Sequence, residues 1–255
     1  MPLLEVRRVS KRFGGIRALD AVSLEVRTSE AVGLIGPNGA GKTTLFDCIT
    51  GVLRPDSGEV FFAGERIDHL SIHRRARLGM GRTFQRIELF AGMTARDHLL
   101  VAERERRGDG RLWKDLLWRG APARDEIALV DAMIAELGLG QFADAAIESL
   151  SLGQGRLVEL GRALISEPRL LLLDEPSSGL DTRESNALAG VLNDVRERHG
   201  TAVLIVEHDL DLVHAVAESA YVLDFGRLIA SGALGDVLAD SAVRTAYLGS
   251  GLEHA

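Results

Sequence analysis

The sequence contains little cysteine, little lysine and few aromatic side chains. One cysteine in 255 residues excludes an intrachain disulfide and is typical of a protein in a reducing compartment. No apolar run approaches the roughly 18 to 20 residues that a membrane-spanning helix needs. The first residues, Met1–Glu5, carry neither the basic nor the apolar segment of a signal peptide, so we expect none.

An excess of basic charge is also absent. The chain has 30 basic and 37 acidic residues, which gives a formal net charge of −7. Such a chain repels phosphate backbones, so we expect no nucleic-acid partner. Only three of the basic residues are lysines, namely Lys11, Lys42 and Lys114. The composition, 46% hydrophobic and 26% charged, otherwise predicts a globular domain and excludes disorder of the whole chain.

Three continuous apolar runs predict the strands of a parallel sheet. Ala31–Ile35, Leu170–Leu173 and Ala202–Val206 are apolar throughout, as strands buried on both faces are. The helical pattern of Thr182–His199 separates the last two runs, and the order strand, helix, strand is typical of parallel pairing. We therefore predict an α/β fold.

Strand signals disappear between Thr94 and Arg169, where apolar residues recur at helical spacing. Within this stretch, residues 103–126 are dense in charges of both signs and include Trp113 and Trp118. Several apolar side chains there fall on one helical face. This face either packs on the neighbouring helices or forms a docking surface for another protein, and the sequence leaves both interpretations open.

A phosphate-binding motif follows the first apolar run. The pattern G-x-x-x-x-G-K-[ST] is matched by Gly36, Pro37, Asn38, Gly39, Ala40, Gly41, Lys42 and Thr43, and Thr44 comes next. Glycines let backbone N–H groups converge on a triphosphate, and the start of the following helix adds its dipole. Lys42 offers a compact positive charge to the β- and γ-phosphates, and Thr43 offers a hydroxyl to Mg²⁺.

Acidic residues follow the second apolar run, and a histidine follows the third. Asp174 and Glu175 end the strand predicted at Leu170–Leu173, at the edge where open parallel sheets bind ligands. We expect Asp174 to hold Mg²⁺ through water and Glu175 to act as the general base towards an attacking water. His208 follows Ala202–Val206 and is expected to reach the γ-phosphate in the same crevice.

These motifs occur together with a further segment that carries a family resemblance. Leu150-Ser151-Leu152-Gly153-Gln154 resembles the signature L-S-G-G-Q of the ATP-binding subunits of ABC transporters, with leucine at the third position. Gln85 matches the glutamine of the family's Q-loop, and Ser178–Asp181 resembles its D-loop. Phe13 stands where the family has an aromatic side chain that stacks on adenine. The resemblance extends from about Leu3 to Gly249.

The resemblance implies the fold in more detail. It implies an α/β P-loop NTPase (RecA-like) core with an antiparallel β subdomain and an inserted α-helical subdomain. The single nucleotide-binding domain would then consist of a core, residues 1–88 and 166–255, and a helical subdomain, residues 89–165, that contains the charged insert 103–126.

The resemblance also implies cofactors, partners and roles for individual residues. ATP and Mg²⁺ are the expected cofactors, with Thr43, Gln85 and Asp174 at the metal and Glu175, His208 and Gln85 as catalytic residues. The second ATP-binding subunit, identical or a paralogue, would have its nucleotide contacted by Ser151, Gly153, Gln154 and Asp181. Integral membrane permease subunits would hold the chain at the cytoplasmic face of the membrane and convert dimer closure into transport.

Finer features resemble the Liv-type importers of branched-chain amino acids, which receive their solute from an extracytoplasmic binding protein. The segments concerned are Phe13-Gly14-Gly15, Gly36-Pro37-Asn38, Arg82-Thr83-Phe84-Gln85, Glu207-His208-Asp209 and Ala246-Tyr247-Leu248-Gly249. The alternatives are a lipid-export ABC ATPase and an ABC ATPase of DNA repair or translation. A P-loop kinase or GTPase would not explain the signature and His208 together.

Overall fold

The computed structural model describes residues 1–83, 89–107 and 122–248. The strands in these residues are β1 (Leu4–Phe13), β2 (Ile16–Val26), β3 (Ala31–Ile35), β4 (Ser57–Phe62), β5 (Glu65–Arg66), β6 (Met80–Arg82), β7 (Leu170–Asp174), β8 (Ala202–Val206), β9 (Ser219–Asp224) and β10 (Arg227–Ala233). The α-helices are α1 (Lys42–Thr50), α2 (Ile72–Arg77), α3 (Ala95–Arg107), α4 (Arg124–Glu136), α5 (Leu152–Leu164), α6 (Thr182–His199), α7 (Leu210–Val216), α8 (Leu234–Ala239) and α9 (Ser241–Leu248).

The larger sheet is mostly parallel, as the three apolar runs predicted. Its strand order is β10-β9-β3-β8-β7-β6, and only the pairing of β10 with β9 is antiparallel. Every residue of β3, β7 and β8 is buried. The edge strand β6 was not predicted, because three residues with a glycine in the middle carry no periodic signal.

A smaller antiparallel sheet, in the order β2-β1-β4-β5, lies against the same core. Alternating residues of β1, such as Leu4 and Val6, pack in one cluster with Leu45 and Ile49 of α1 and with Leu172 of β7. The helix α1 therefore lies between the two sheets, which holds its N-terminus at the carboxyl end of β3.

The helices α3, α4 and α5 pack on the opposite face of the parallel sheet. Because side chains alternate along a strand, Leu170 and Leu172 face α1, whereas Leu171 and Leu173 join a second cluster with Leu99 of α3 and with residues of α4 and α5. No helix in the described ranges has the length and apolar character that crossing a membrane requires. Trp113 and Trp118 lie outside the described residues.

A buried arginine fixes the C-terminal end of α1. Arg75, only 2% exposed, donates hydrogen bonds from Nη1 to the carbonyl oxygens of Cys48 and Ile49 at 2.8 and 2.6 Å. A cation at this end complements the helix dipole and satisfies carbonyls that the helix leaves unpaired. The helix that carries the phosphate-binding motif is thus held at both ends.

Candidate nucleotide site

The loop Gly36–Gly41 connects β3 to α1, and glycine is required at both of its ends. Gly36 has φ +146°, and a Cβ there would lie 2.1 Å from the carbonyl oxygen of Leu223. Gly41 has φ +104°, and its Cβ would lie 2.6 Å from the carbonyl oxygen of Ala18. Both positions therefore combine a left-handed backbone with a close approach of another chain segment.

The residues of this loop and of the first turn of α1 differ in their exposure. Asn38, Gly39 and Thr43 are exposed, Pro37 and Thr44 are half-buried, and Ala40 is buried. The carbonyl oxygen of Ala40 accepts a hydrogen bond from the N–H of Gly226, in the turn between β9 and β10, at 2.8 Å. The loop is thus attached to the sheet while its outer surface stays open to a ligand.

Lys42 is enclosed by the loop that it follows. Its ammonium donates hydrogen bonds to the carbonyl oxygens of Gly36 and Pro37 at 2.6 and 3.0 Å, and only 5% of the residue is exposed. Burial lowers the pKa of Lys42, and the nearby carboxylates of Glu175 and Asp174 oppose that shift. A compact cation therefore lies at the base of the loop, close to the acidic residues that end β7.

Asp174 and Glu175 lie at the carboxyl end of β7, as predicted. Burial, followed by the negative charge of Glu175, raises the pKa of Asp174 to about 6. Glu175 has φ +46°, an uncommon conformation for this residue, and its N–H donates to the carbonyl oxygen of Val206 at 2.8 Å. The strained backbone at Glu175 and the desolvated carboxyl group of Asp174 are both features that cluster at functional sites.

Replacing Asp174 by asparagine is expected to stabilise the protein in the absence of nucleotide and magnesium at pH 8. The pKa of Asp174 is about 6 in the folded state, whereas the ordinary value for an aspartate is 3.8. Above pH 6 the ionised carboxylate therefore lowers the free energy of unfolding by on the order of 1 to 3 kcal/mol. The folded carboxyl group is protonated at low pH, so the gain should decline as the pH falls from 6 to 4. Denaturant unfolding of both proteins at pH 4.5 and 8 measures this difference.

The matched control for this prediction is Asp194→Asn, which removes an exposed carboxylate from α6. Its free energy of unfolding should stay within about 0.5 kcal/mol of the parent at both pH values. An Asp174→Asn variant that is less stable than the parent at pH 8 would contradict the prediction.

The end of β8 brings His208 to the same place. His208 Nδ1 lies 3.8 Å from Glu175 Oε1 and 3.9 Å from Glu207 Oε2, and 55% of the histidine side chain is exposed. The sequence-predicted Lys42, Asp174, Glu175 and His208 thus lie around one crevice at the carboxyl ends of β3, β7 and β8. Gln85 lies outside the described residues.

Glu207 is a residue of this crevice to which the sequence assigned no role. It is fully buried, and its Oε1 accepts hydrogen bonds from the N–H and the hydroxyl of Ser177 at 2.8 and 2.7 Å. Its Oε2 accepts from the N–H groups of His208 and Asp209 at 3.1 and 3.3 Å. Glu207 therefore ties the segment after β7 to the segment after β8. Two signals were available: an acidic residue directly after a fully apolar strand, and the resemblance of the segment Glu207–Asp209.

The donor set fits Mg²⁺ shared with a phosphate ligand. Thr43 and Asp174 offer oxygen atoms, and the carboxylates of Asp47, Glu175 and Glu207 add negative charge around Asp174 that Lys42 only partly offsets. No group of three or more acidic, histidine or cysteine residues in the described ranges forms a metal cage by itself. Mg²⁺ prefers one or two carboxylates together with phosphate oxygens, so this arrangement agrees with its chemistry.

Phe13 and the signature segment lie on other parts of the fold. Phe13 ends β1, next to the turn into β2, and is 48% exposed. Ser151 caps the N-terminus of α5: its Oγ accepts from the N–H of Gln154, whose side chain accepts from the N–H of Ser151. Gly153 is buried and Asp181 caps α6 in the same manner. The signature therefore starts a helix on the opposite face of the sheet from α1.

The parallel sheet, the glycine-rich loop and the acidic strand end together define a P-loop nucleotide-hydrolysing enzyme. A sequence-family profile described as ABC transporter matches residues 19–178. The chain belongs to the ABC transporter family and is an ATPase subunit of the kind found in these transporters. This confirms the predicted family, the α/β P-loop fold and the enzymatic class.

Curated relatives cover almost the whole chain. A high-affinity branched-chain amino acid transport ATP-binding protein, LivG of Salmonella typhimurium, is 37% identical over 251 residues, which are 97% of this chain and 98% of LivG. BraF of Pseudomonas aeruginosa, with the same description, gives the same values. The lipopolysaccharide export system ATP-binding protein LptB of Haemophilus influenzae is 35% identical over 249 residues, 98% of each chain.

A solved structure agrees with these relatives. The ADP conformation of MJ1267, an ATP-binding cassette of an ABC transporter, superposes with a TM-score of 0.85 and is 32% identical. The match covers 98% of this chain and 99% of that one. The chain therefore has the fold of a cassette that binds nucleotide.

Proposed function

We propose that this ATPase powers the import of branched-chain amino acids or related small solutes through separate permease chains. The observation that carries the proposal is the crevice at the carboxyl ends of β3, β7 and β8, where a buried ammonium, two carboxylates and a histidine meet. The choice of solute is supported by LivG and BraF, whose names state branched-chain amino acid transport.

In the proposed reaction, the loop residues Gly36–Thr44 bind the phosphates and Lys42 leaves the carbonyl oxygens of Gly36 and Pro37 for phosphate oxygens. Glu175 accepts a proton from the attacking water. His208 holds the γ-phosphate from the other side of the crevice. Phe13 stacks on the adenine.

The cation is the second part of this proposal. Mg²⁺, when bound, neutralises charge on the β- and γ-phosphates. Thr43, Asp174 and Gln85 are its proposed ligands, with Asp174 acting through water. The raised pKa of Asp174 supports this assignment, because a cation restores the charged form that burial disfavours.

The proposed function also requires a second ATP-binding subunit. The phosphate loop starts α1 on one face of the parallel sheet, and the signature starts α5 on the other. The proposed role of Ser151, Gly153, Gln154 and Asp181 is therefore to contact the nucleotide of a second subunit, either a copy or a paralogue. Closure of this dimer on ATP would drive the permeases, which we propose dock on the helical subdomain, residues 89–165, at the cytoplasmic face of the membrane.

The similarity to LptB supports a second candidate, a lipid-export ATPase. Transport by the assembled complex distinguishes the two. The chain is co-purified with its permeases and reconstituted in proteoliposomes together with the solute-binding protein of the same system. ATP-dependent uptake of radiolabelled leucine, isoleucine and valine is then measured. Uptake that needs the binding protein supports import, whereas a complex that extracts lipopolysaccharide and moves no amino acid contradicts it.

A further inference from the structure

The hydrogen-bond donors at the start of α5 contact a carboxylate of their own chain. The Ser151 hydroxyl donates to Glu184 Oε1 at 2.8 Å, and the N–H of Gly153 donates to the same oxygen at 3.2 Å. Both groups belong to residues that the proposed function assigns to the nucleotide of the second subunit, and as donors at a helix N-terminus they suit its γ-phosphate. One carboxylate oxygen therefore occupies both of them.

Glycine at position 153 is what permits this contact. A Cβ built there would lie 2.8 Å from both Cδ and Oε1 of Glu184. Without a side chain, the backbone N–H at the N-terminus of α5 is open to an anion, and the helix dipole favours negative charge at that position. The carboxylate of Glu184 uses the same physical attraction that a phosphate group would use.

Glu184 also belongs to the N-terminus of α6, the helix that follows the D-loop segment Ser178–Asp181. Its N–H donates to Asp181 Oδ1 at 2.8 Å, whereas its Oε2 accepts from the N–H of Asp181 only at 3.4 Å. The two contacts between the carboxylate and the signature, at 2.8 and 3.2 Å, are both shorter than its contact with the N–H of Asp181. The carboxylate thus bridges two helix N-termini and binds the signature more closely than its own cap.

We propose that Glu184 is an internal substitute for the γ-phosphate. In the separated subunit its carboxylate occupies the signature donors, and ATP held by the second subunit displaces it when the dimer closes. This inference rests on the proposed function, because it requires the signature to receive the partner's phosphate. Glu184 then raises the ATP concentration that closure requires, and its return to Ser151 favours separation after hydrolysis.

The test compares two full-length proteins that both carry Glu175→Gln, so that ATP-bound dimers persist. One has Glu184 and the other has Glu184→Ala. Light scattering measures the dimer fraction during a titration with ATP and magnesium. Loss of the competing carboxylate should lower the midpoint ATP concentration about tenfold, the equivalent of one charge-assisted hydrogen bond.

Two further variants separate the role of the carboxylate from its role in capping α6. Glu184→Gln keeps the size and an acceptor oxygen but loses the charge. Its midpoint ATP concentration should therefore lie between that of the protein with Glu184 and that of Glu184→Ala. Glu197→Ala removes an exposed carboxylate from the same helix and should leave the midpoint unchanged. Binding of a fluorescent ATP analogue to the monomers should be equal in all of them, because Glu184 does not belong to the loop Gly36–Thr44.

The outcomes distinguish this proposal from the function on which it rests. If the Glu175→Gln parent forms no ATP-dependent dimer, either by itself or mixed with a paralogous ATP-binding subunit, the proposed function is wrong and the role of Glu184 falls with it. If the parent dimerises and the removal of Glu184 leaves the midpoint unchanged or raises it, this proposal alone is overturned. Thermal unfolding checks each monomer, and where Glu184→Ala does not fold, the midpoint of Glu184→Gln decides.

Discussion

Replacing Glu175 by glutamine is expected to lower the ATP hydrolysis rate at least about a hundredfold, the typical contribution of a general base. Glutamine has the same shape, and the backbone at this position is held by the hydrogen bond from Glu175 N–H to Val206, so the site keeps its geometry. ATP should still bind, because the substitution removes a negative charge that repels the phosphates and leaves the phosphate loop unchanged. Phosphate release under single-turnover conditions, together with nucleotide binding, measures the two effects separately.

The control for Glu175→Gln is Glu197→Gln, which changes the same residue type on the exposed side of α6. Its hydrolysis rate should equal that of the parent. A Glu175→Gln protein that hydrolyses ATP at the parent rate would show that this carboxylate is not the base. His208, whose Nδ1 lies 3.8 Å from Glu175 Oε1, would then be the next candidate for that role.

Replacing Lys42 by methionine is expected to weaken ATP binding at least about tenfold, because hydrogen bonds to charged groups contribute roughly 1.5 to 3 kcal/mol. The ammonium already makes two hydrogen bonds to carbonyl oxygens of the loop, and methionine can make neither these bonds nor polar contacts to phosphate. Hydrolysis should fall further than binding, since charge develops on the phosphate oxygens during the reaction. Calorimetric titration with ATP gives the affinity.

Two variants make this result specific. Lys42→Arg should also fail, because the buried position fits a compact ammonium and not a planar guanidinium. Arg198→Met removes an exposed cation of α6 that pairs with Asp194, and it should leave ATP affinity within about twofold of the parent, as surface ion pairs contribute little. Parent-like ATP affinity in Lys42→Met would refute the assignment.

Much of the fold and of the crevice was predictable from local sequence. The strands β3 and β8, and β7 up to Leu173, are apolar throughout, as strands buried on both faces are. The residues Lys42, Asp174, Glu175 and His208 each follow one of these strands directly or by a short loop. Since parallel strands end at the same edge of the sheet, their meeting point was predictable as well.

Contacts between distant segments were not predictable in this way. The short strand β6 forms only because β7 offers it an edge, and Glu207 acquires its role from Ser177, thirty residues earlier in the chain. The carboxylate of Glu184 meets Ser151 across 33 residues. No periodicity or motif encodes such pairs.

The sequence by itself determined the class of protein, the phosphate loop and the order of buried strands, because these depend on residue type and near spacing. Only the tertiary structure decided how the scarce lysine Lys42 is enclosed, how far burial raises the pKa of Asp174, and which anion occupies the signature. These properties arise from desolvation and from hydrogen bonds between segments that the fold brings together, and neither exists until the chain has packed.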